Sequence, residues 1–278
     1  MTKVWFITGA GSGLGLGTAK AALRAGDRVV ATGRNAEKVR QALAAEAGDN
    51  LAVVHLDVTV EDQARAAVAA AVQRYGRVDV AVNNAGYSIL GNFEELTNAE
   101  IGSQFATNFW GVVNVMRAAL PVMRAQRSGR LITISSVAGV VGLKHCAAYG
   151  AAKFAVEGLS LAVRTEVERF GIAVTVVEPG FFRTELLAPA NVRWPSRSID
   201  DYAGEGTAEQ MWSPYHGTQQ GDPDRFGDAL VTLAGMDRPP AILAAGGDAL
   251  AMITPAIEQR LGEMHANAAL SRSTDGMG

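Results

Sequence analysis

The chain has 278 residues, of which 48% are hydrophobic and 19% are charged, and its formal net charge is -3. This length is sufficient for a large single core, and the slightly acidic balance provides no basic surface for nucleic acid. The one cysteine cannot form an internal disulfide, and the four histidines show no metal-ligand spacing. No apolar run approaches the roughly 20 residues of a membrane span, and no signal-peptide pattern precedes the first predicted strand. We therefore expect a cytoplasmic protein without a metal site, a membrane span or a nucleic-acid partner.

The first half of the chain repeats one pattern, in which a short apolar run and a turn are followed by an alanine-rich helix and a glycine. The apolar runs show little alternation, which is typical of strands buried on both faces of a parallel sheet. The predicted strands in this half are 4–8, 28–32, 51–56 and 78–82. Gly26, Gly48 and Gly76 follow predicted helices, where a left-handed residue is favoured. The alternation predicts an α/β fold with helices on both faces of the sheet.

Helix starts are also marked by the sequence. Thr59 with Asp62, and Thr97 with Glu100, match the capping-box pattern. The alternation continues beyond Thr97, with a helix after this residue, a strand at 131–135, a helix at about 149–170 and a strand at 172–177.

The last third departs from this pattern between about 186 and 222, where prolines and glycines mix with charges and aromatic residues. An irregular stretch of this length inside a compact domain is usually functional or disordered. Regular structure is predicted to return with a helix near 224–235, a strand near 241–245 and a helix near 248–263, and the tail after His265 is predicted to fray. No linker divides the sequence. We expect a single domain over 1–278, with an insertion at about 186–222.

A glycine-rich turn, TGAGSGLG, follows the first predicted strand and opens a helix. Glycine lets the backbone approach a pyrophosphate closely, and a helix N-terminus favours the negative charge. Tight turns also use glycine for geometry alone, but this position after a buried first strand favours dinucleotide binding. The candidate cofactor residues of the turn are Gly9, Ser12, Gly13, Leu14 and Gly15.

The end of the second strand indicates which dinucleotide is preferred. A fold of this kind usually places an acidic residue there when it binds the ribose hydroxyls of NAD. This sequence has Thr32, Gly33 and Arg34 instead. Arg34 can bind a 2′-phosphate through its guanidinium group, so NADP(H) is favoured and NAD(H) remains possible. The alternative is that Arg34 is a solvated residue that precedes a helix.

Tyr149 and Lys153 are four residues apart, so on a helix they share one face. A neighbouring ammonium favours the phenolate form of a tyrosine, which brings its pKa closer to neutral pH. Ser136 lies upstream, where its hydroxyl can hold a reacting oxygen. The spacing alone has a second interpretation, because packing and solvation place tyrosine and lysine four residues apart on many amphipathic helices.

Together these motifs resemble the short-chain dehydrogenase/reductase family over nearly the whole chain. The matching features, in chain order, are the TGxxxGxG turn at 8–15, the NNAG run at 83–86, Asn108, Ser136, the pair Tyr149 and Lys153, and the Pro179-Gly180 turn. The resemblance implies a three-layer, doubly wound Rossmann fold with a mostly seven-stranded parallel sheet. It also implies hydride transfer between a nicotinamide cofactor and a carbonyl or secondary alcohol. The organisation is most similar to single-domain members grouped with hydroxysteroid and retinol dehydrogenases.

The resemblance also implies roles for four catalytic side chains. Tyr149 would be the general acid in carbonyl reduction and the base in alcohol oxidation, and Ser136 would hydrogen-bond the substrate oxygen. Lys153 would bind the nicotinamide ribose and lower the pKa of Tyr149. Asn108 would hold a water that links Lys153 to solvent. One departure is Ala152, where the family often has a serine before the lysine.

Further cofactor contacts follow from the same resemblance. Asp57 and Val58 match the adenine contacts, although Asp57 has a second interpretation as a strand-end cap for the next helix. Other residues would contact the cofactor along its length or at its nicotinamide end: Asn84, Ala85, Gly86, Tyr149, Lys153, Pro179, Gly180 and Thr184.

The insertion suits a lid over an apolar or bulky substrate, because it contains Trp194, Tyr202, Met211, Trp212 and Tyr215. Its aromatic residues have an equally weighted alternative role as anchors of the loop on the core. His145 and Cys146 either border the substrate or have structural roles. The structural roles are favoured, a solvated turn residue for His145 and a small packing residue for Cys146.

The family commonly forms dimers through the helices around Asn108 and at about 149–170, so we expect a homodimer or homotetramer. A stripe on the second of these helices either contributes to that interface or faces the chain's own sheet; it consists of Leu159, Ala162, Val163, Val167 and Phe170.

Three other functions were weighed against an NADP(H)-dependent oxidoreductase. A catalytically silent NADP(H)-binding sensor or scaffold would keep the fold and lose part of the catalytic set. A sugar-nucleotide epimerase or dehydratase would require a larger C-terminal substrate domain. A methyltransferase would share the glycine-rich turn but would not require Ser136, Tyr149 and Lys153 together.

Overall fold

The computed structural model describes residues 2–276 and contains seven strands. They are β1 (Val4–Ile7), β2 (Arg28–Gly33), β3 (Leu51–His55), β4 (Val80–Asn83), β5 (Gly129–Ile134), β6 (Ile172–Pro179) and β7 (Ile242–Ala245). All neighbouring strands pair in parallel, in the order β3-β2-β1-β4-β5-β6-β7. The predicted seven-stranded parallel sheet is confirmed.

Helices connect the strands and cover both faces of the sheet. They are α1 (Gly13–Arg24), α2 (Ala36–Ala42), α3 (Glu61–Tyr75), α4 (Asn98–Phe105), α5 (Gly111–Gln126), α6 (Ala147–Val167), α7 (Ala208–Trp212), α8 (Pro223–Gly235), α9 (Gly247–Ala266) and α10 (Ala268–Arg272). Phe6 and Leu131 are buried in a core shared with α3, α5 and α6. Trp5 and Ile7 face the opposite core, which includes residues of α1 and α8. The apolar runs therefore lack alternation because their strands are buried on both sides.

Two helices on one face approach each other closely at glycine. A Cβ atom at Gly17 of α1 would lie 2.1 Å from the carbonyl oxygen of Pro223 in α8. A Cβ atom at Gly227 would likewise lie 2.3 Å from the carbonyl oxygen of Gly17. Both positions therefore need the absence of a side chain, and this contact holds α8 against the helix that follows the glycine-rich turn.

One predicted capping box is confirmed and the other is wrong. Thr97 and Glu100 exchange hydrogen bonds at the start of α4, with N–O distances of 2.7 and 3.2 Å. At α3 the N-cap residue is Val60, and the Thr59 hydroxyl instead donates to Asp57 Oδ1 at 2.7 Å. The Asp57 carboxylate, just after β3, therefore accepts the hydrogen bond of the Thr59 hydroxyl, which the capping-box pattern assigned to the start of α3.

Three local predictions differ in detail from the structure. Gly26 and Gly76 are left-handed, each with φ of 79°, but Gly48 is not. Helix α6 begins at Ala147 and ends at Val167, and its last predicted residues form a 3₁₀ turn at Glu168–Phe170. The tail beyond His265, which was predicted to fray, contains the end of α9 and then α10.

The segment 186–222 is mainly irregular, as predicted, with short helical turns that include Asp200–Glu205, α7 and Ser213–Tyr215. It docks on the loop after β4. The Leu90 amide donates to the Arg193 carbonyl at 3.0 Å, and the Arg193 amide donates to the Ser88 carbonyl at 2.9 Å. The Ile199 amide donates to Glu95 Oε1 at 3.1 Å. The insertion is therefore attached to the body of the fold by backbone hydrogen bonds.

None of the helices within residues 2–276 has the length and apolar character that crossing a membrane requires. The same residues contain no group of three or more histidine, cysteine or acidic side chains arranged to hold a metal ion.

Candidate active site

A cleft of about 400 Å³ opens over the carboxyl ends of the strands. Loops after parallel strands converge at this edge of a sheet, and open α/β folds bind ligands there. All of the predicted site residues line this one cleft, with the exception of Gly15. The structure therefore brings together side chains that are spread through the chain from the first turn to the loop after β6.

The glycine-rich turn forms the floor at one end of the cleft. Gly9 and Gly13 have φ of 67° and 55°, a region that side chains rarely adopt. A Cβ atom at Gly9 would lie 3.0 Å from Ala85 Cα. Gly15 lies beneath the turn instead, where a Cβ atom would be 2.4 Å from Asn84 Nδ2 and 2.5 Å from the Gly9 carbonyl oxygen. Gly15 thus supports the turn by packing and does not line the cleft.

The opposite side of the turn presents two cations. Arg34 and Lys38 both line the cleft and are both exposed. Asn35 lies between them and caps α2, because its side-chain oxygen accepts a hydrogen bond from the Lys38 amide at 2.9 Å. No sequence motif singles out Lys38. Its position one helical turn after Arg34, in the first turn of α2, is the signal that places it on the same side.

Asp57 also lines the cleft, but its carboxylate has protein partners. Oδ1 accepts hydrogen bonds from the Thr59 amide at 3.0 Å and from the Thr59 hydroxyl. Asp57 therefore closes the turn that precedes α3 and does not cap the helix itself, whose N-cap residue is Val60 without a side-chain hydrogen bond. This geometry does not prevent the second carboxylate oxygen from facing a ligand.

Tyr149 and Lys153 share one face of α6, as the spacing predicts. Lys153 Nζ lies 5.6 Å from the centre of the Tyr149 ring and donates a hydrogen bond to the Ile134 carbonyl oxygen at 2.8 Å. Ser136 follows β5, and its hydroxyl oxygen accepts from the Ala138 amide at 3.2 Å. Helix α6 and the end of β5 therefore hold these three side chains together.

Burial governs the electrostatics of this group. It raises the pKa of Tyr149 to about 12, while a hydrogen bond with the Ser136 hydroxyl opposes the increase. Burial lowers the pKa of Lys153 to about 8, and the Glu157 carboxylate opposes that decrease. Loss of hydration is the largest effect on the pKa of the phenol in this structure, and the lowering of this pKa by Lys153 stays a prediction.

Asn108 lies in a π-helical turn, Ala106–Trp110, between α4 and α5. Its Nδ2 donates to the Tyr87 carbonyl oxygen at 3.0 Å, and its Oδ1 accepts from the Tyr87 amide at 3.3 Å. Such turns are frequent at functional sites. Asn108 is therefore fixed to the loop after β4 at the border of the cleft, and its predicted role in holding a water stays a prediction.

The substrate side of the cleft has an apolar wall. Leu90, Cys146, Leu187 and Trp212 are buried in one cluster with Tyr149. The Trp212 indole donates to the Lys144 carbonyl oxygen at 3.3 Å, which fixes the ring. The insertion thus supplies part of this wall through Trp212.

The other predicted lid residues contribute less. Trp194 packs against this cluster, Tyr202 contacts Glu94, and Met211 and Tyr215 are exposed. Phe181, which the sequence analysis missed, lines the cleft and stacks on Tyr215 with ring centres 5.8 Å apart.

The two residues before α6 differ in their placement. Cys146 is buried and lines the cleft, and burial raises the pKa of its thiol to about 12. His145 is also buried, does not line the cleft and has a left-handed backbone with φ of 62°. Cys146 therefore packs at the border of the candidate substrate space. The expectation that His145 is a solvated turn residue is wrong, because the tight turn that holds it is covered by neighbouring residues.

Comparison with known proteins identifies relatives of this architecture. A family profile described as short chain dehydrogenase matches residues 3–193. Oxidoreductase BOA17 of Botryotinia fuckeliana is 37% identical over 250 residues, which cover 90% of this chain and 91% of that protein. The 3-ketodihydrosphingosine reductase of Bacteroides thetaiotaomicron is 40% identical over 205 residues, which cover 72% of each protein.

Solved structures have the same fold. A short-chain dehydrogenase from Streptomyces avermitilis superposes with a TM-score of 0.90 at 36% identity, covering 99% of this chain and 100% of that chain. ElxO with NADP bound has a TM-score of 0.74 at 28% identity, over 90% and 100% of the two chains. A Burkholderia phymatum protein in complex with NAD has a TM-score of 0.81, over 100% and 98%, but its 22% identity shows the fold alone.

Proposed function

Because the chain belongs to the short-chain dehydrogenase/reductase family and is an NAD(P)-dependent oxidoreductase, we propose that it uses NADP(H) to interconvert an apolar or bulky carbonyl compound and its secondary alcohol. The observation that carries this proposal is the convergence of Ser136, Tyr149 and Lys153 on the cleft that begins at the glycine-rich turn. We further propose that 1–278 act as one cofactor-binding domain, in which 186–222 cover the substrate.

The residues at the floor of the cleft fit a dinucleotide. Gly9 and Gly13 leave space that a side chain would fill, and Gly13 opens α1, whose N-terminus favours a pyrophosphate. The cofactor would lie along the predicted residues that line the cleft, from Ser12 and Leu14 past Val58, Asn84, Ala85 and Gly86 to Pro179, Gly180 and Thr184. The protein therefore provides both an anion site and an extended groove.

The proposed chemistry divides between the cofactor and the side chains. When bound, the nicotinamide supplies or accepts the hydride. Tyr149 Oη donates its proton to the carbonyl oxygen in reduction and takes a proton from the alcohol in oxidation. Ser136 holds the same oxygen, and Lys153 binds the ribose. With its pKa raised to about 12, the phenol is protonated at neutral pH, which is the form that donates to a carbonyl oxygen.

The preference for NADP(H) is supported by Arg34 and Lys38, which offer two cations to a 2′-phosphate. We expect Arg34→Ala and Lys38→Ala each to weaken NADPH binding about tenfold while changing NADH binding less, because only NADPH carries the phosphate. Fluorescence titration of both cofactors measures the effect. Arg40→Ala is the matched control, since Arg40 lies on α2 but pairs with Glu37 and does not line the cleft. An equal loss for NADPH and NADH would remove the 2′-phosphate role.

An apolar substrate is supported by the wall around Leu187 and Trp212 and by the relative named for reducing 3-ketodihydrosphingosine. A series of ketones with increasing apolar length, including that compound, tests this class with NADPH. The absorbance of the reduced cofactor reports turnover. We expect kcat/KM to rise with apolar length, because each buried CH₂ contributes about 0.8 kcal/mol. Binding of NADPH without turnover across the series would favour the silent sensor, and failure to bind either cofactor would contradict both functions.

A homodimer or homotetramer is supported by exposed aromatic side chains on the helical face that includes α6. Trp110 and Phe154 are 55% and 45% exposed. The stripe that was considered for this interface instead packs largely on the chain's own core, since Leu159, Val163 and Val167 contact it. Sedimentation of wild-type protein and of Trp110→Ser measures the assembly, and a monomeric wild-type protein would contradict it.

A further inference from the structure

Two buried carboxyl groups lie behind the catalytic face of α6, and the proposed chemistry uses neither of them. Glu157 follows Lys153 by one helical turn, and Glu178 lies near the end of β6. Their exposed fractions are only 8% and 3%. Removing carboxylates from water is costly unless they are paired, hydrogen-bonded or protonated. Their presence beside a functional lysine therefore requires an explanation.

The surroundings bring these groups together in one polar layer. The Ser135 amide donates to the Val177 carbonyl at 2.8 Å, which places Ser135 beside Glu178 on the neighbouring strand. Glu157 Oε1 and Ser135 Oγ are both buried without a hydrogen-bond partner of good geometry among the described residues. Both face Gly139, where a Cβ atom would lie 3.0 Å from Glu157 Oε1 and 2.4 Å from Ser135 Oγ. The absence of a side chain at this position leaves room for the polar layer.

The charges in this layer depend on one another. Burial and the neighbouring Glu178 raise the pKa of Glu157 to about 7, and Ser135 opposes this increase. Burial also raises the pKa of Glu178. Two like charges at such a site disfavour double ionisation, so the carboxyls titrate as a pair.

Few other groups reach this layer. Among residues 2–276, the charged groups that act on Glu157 are Lys153 from its own helix and Glu178 from β6, while Ser135, directly after β5, contributes a neutral hydroxyl. Lys153 in turn faces the Tyr149 ring, and Cys146 lies beyond this ring. The turn at Gly139 adds no ionisable group.

We propose that Glu157 and Glu178 form a carboxyl pair that shares one proton and sets the charge of Lys153. With only one proton on the two carboxyl groups, the pair carries one negative charge, which lies one helical turn from Lys153 when it is on Glu157. Attraction to this carboxylate keeps Lys153 in the ammonium form that binds the cofactor ribose. Glu157 is thus a positioning residue that acts through Lys153, and Glu178 controls when Glu157 is charged. This inference rests on the proposed function of Lys153.

The first test measures NADPH affinity as a function of pH by fluorescence titration. In wild-type protein, affinity falls as pH rises through the pKa of Lys153, about 8. The 2′-phosphate titrates at about pH 6, so it does not contribute to this loss. Lys153→Met should abolish the pH-dependent loss, which assigns it to the lysine.

The two isosteric variants of the pair should differ in direction. Glu157→Gln removes the attracting carboxylate, so the midpoint of the loss should move down by about one pH unit. Glu178→Gln removes the competing carboxyl and favours ionised Glu157, so its midpoint should stay or move up. If the two carboxyl groups had only a structural role, both variants would bind NADPH more weakly or be less stable, and the midpoints of their pH profiles would not shift in different directions. Equal or absent shifts in the two variants would overturn the proposal.

The second test needs no cofactor, because it measures the free energy of unfolding as a function of pH. A carboxyl group whose pKa is raised in the folded state stabilises that state below its unfolded pKa, and this contribution is lost as pH rises through the folded pKa. The stability of wild-type protein relative to Glu157→Gln should therefore decrease between pH 4.5 and about 7. A difference in the free energy of unfolding that does not change with pH would overturn the proposal that the two carboxyl groups share a proton. Failure of wild-type protein to bind NADPH would instead contradict the proposed function.

Discussion

The two walls of the cleft are held by different interactions. The cofactor wall consists of loops at the ends of buried strands, where Gly9 and Gly15 allow backbone segments to approach within van der Waals distance. The substrate wall is partly supplied by 186–222, which is attached through hydrogen bonds to the loop after β4. A change in the first wall therefore disturbs the core, whereas a change in the second alters how the insertion rests on its surface.

Most contacts of the insertion involve groups that water can also satisfy. Arg197 contacts the backbone of Glu94 and Glu95, and Tyr202 contacts the Glu94 carboxylate. Glu95 is an exception because it is buried, and its carboxylate accepts from Ile199 and Asn92. Since exposed polar contacts add little net stability, the substrate wall should depend on the few buried ones.

The largest effect is expected at Tyr149, which lies between the two walls. Tyr149→Phe removes the proposed proton donor but keeps the ring, so kcat should fall about 10²–10⁴-fold. The dissociation constant of NADPH should stay within about twofold, because the other proposed cofactor contacts and the Tyr149 ring are retained. Steady-state kinetics and fluorescence titration measure the two quantities.

Tyr75→Phe is the matched control for this prediction, since the Tyr75 hydroxyl bonds the Asp49 carbonyl oxygen far from the cleft. This variant should keep the wild-type kcat. Retained turnover in Tyr149→Phe would remove Tyr149 from the chemistry.

The second effect concerns the cofactor wall. Gly15→Ala places a methyl group 2.5 Å from the Gly9 carbonyl oxygen, so the turn must shift. We expect the free energy of unfolding to fall by about 1–3 kcal/mol and NADPH affinity to fall with it. Denaturant unfolding and cofactor titration check both expectations.

Gly48→Ala is the control for Gly15→Ala, because Gly48 is exposed and a Cβ atom there meets nothing within 4 Å. It should leave both quantities unchanged. Loss of NADPH affinity without loss of stability would mean that Gly15 contacts the cofactor after all.

The sequence could predict those parts of the fold whose local pattern has a single physical cause. The strands were predictable because strands buried on both faces need continuous apolar runs, and the first turn was predictable because its glycines have a geometric cause. The start of α3 was not, since Thr59 has two possible partners and only the folded chain shows that Asp57 holds it. Local patterns thus predict elements well where no second hydrogen-bond partner competes for the same side chain.

The candidate site divides in a similar way. Tyr149 and Lys153 share a helix, so their spacing alone predicts that they are neighbours. Glu157 and Glu178 lie on different elements, and nothing in their local sequence predicts that they meet. The direction of the Tyr149 pKa shift was also beyond the sequence, because it depends on how much water the fold excludes.

The third effect concerns the buried contact of the substrate wall. Glu95→Ala removes the acceptor for the Ile199 amide, so the insertion should rest less firmly on the loop after β4. We expect KM for the ketone substrate to rise about threefold to tenfold with NADPH affinity unchanged, since the proposed lid over the substrate is weakened. Limited proteolysis should cut 186–222 faster.

Glu209→Ala, an exposed change within the same segment, is the control for Glu95→Ala and should alter neither KM nor proteolysis. If Glu95→Ala weakened NADPH binding as much as substrate binding, the two walls would not be independent.

The smallest effect tests whether exposed contacts contribute to the substrate wall. Lys144 pairs with Glu205 at the surface, and both side chains are largely exposed. Because water screens such pairs, Lys144→Ala should leave Tm and KM within experimental error. The Lys144 backbone carbonyl, which accepts from the Trp212 indole, is retained in this variant, so Trp212 keeps its anchor. A clear rise in KM would show instead that this ion pair positions the insertion, and the wall would then weaken with added salt.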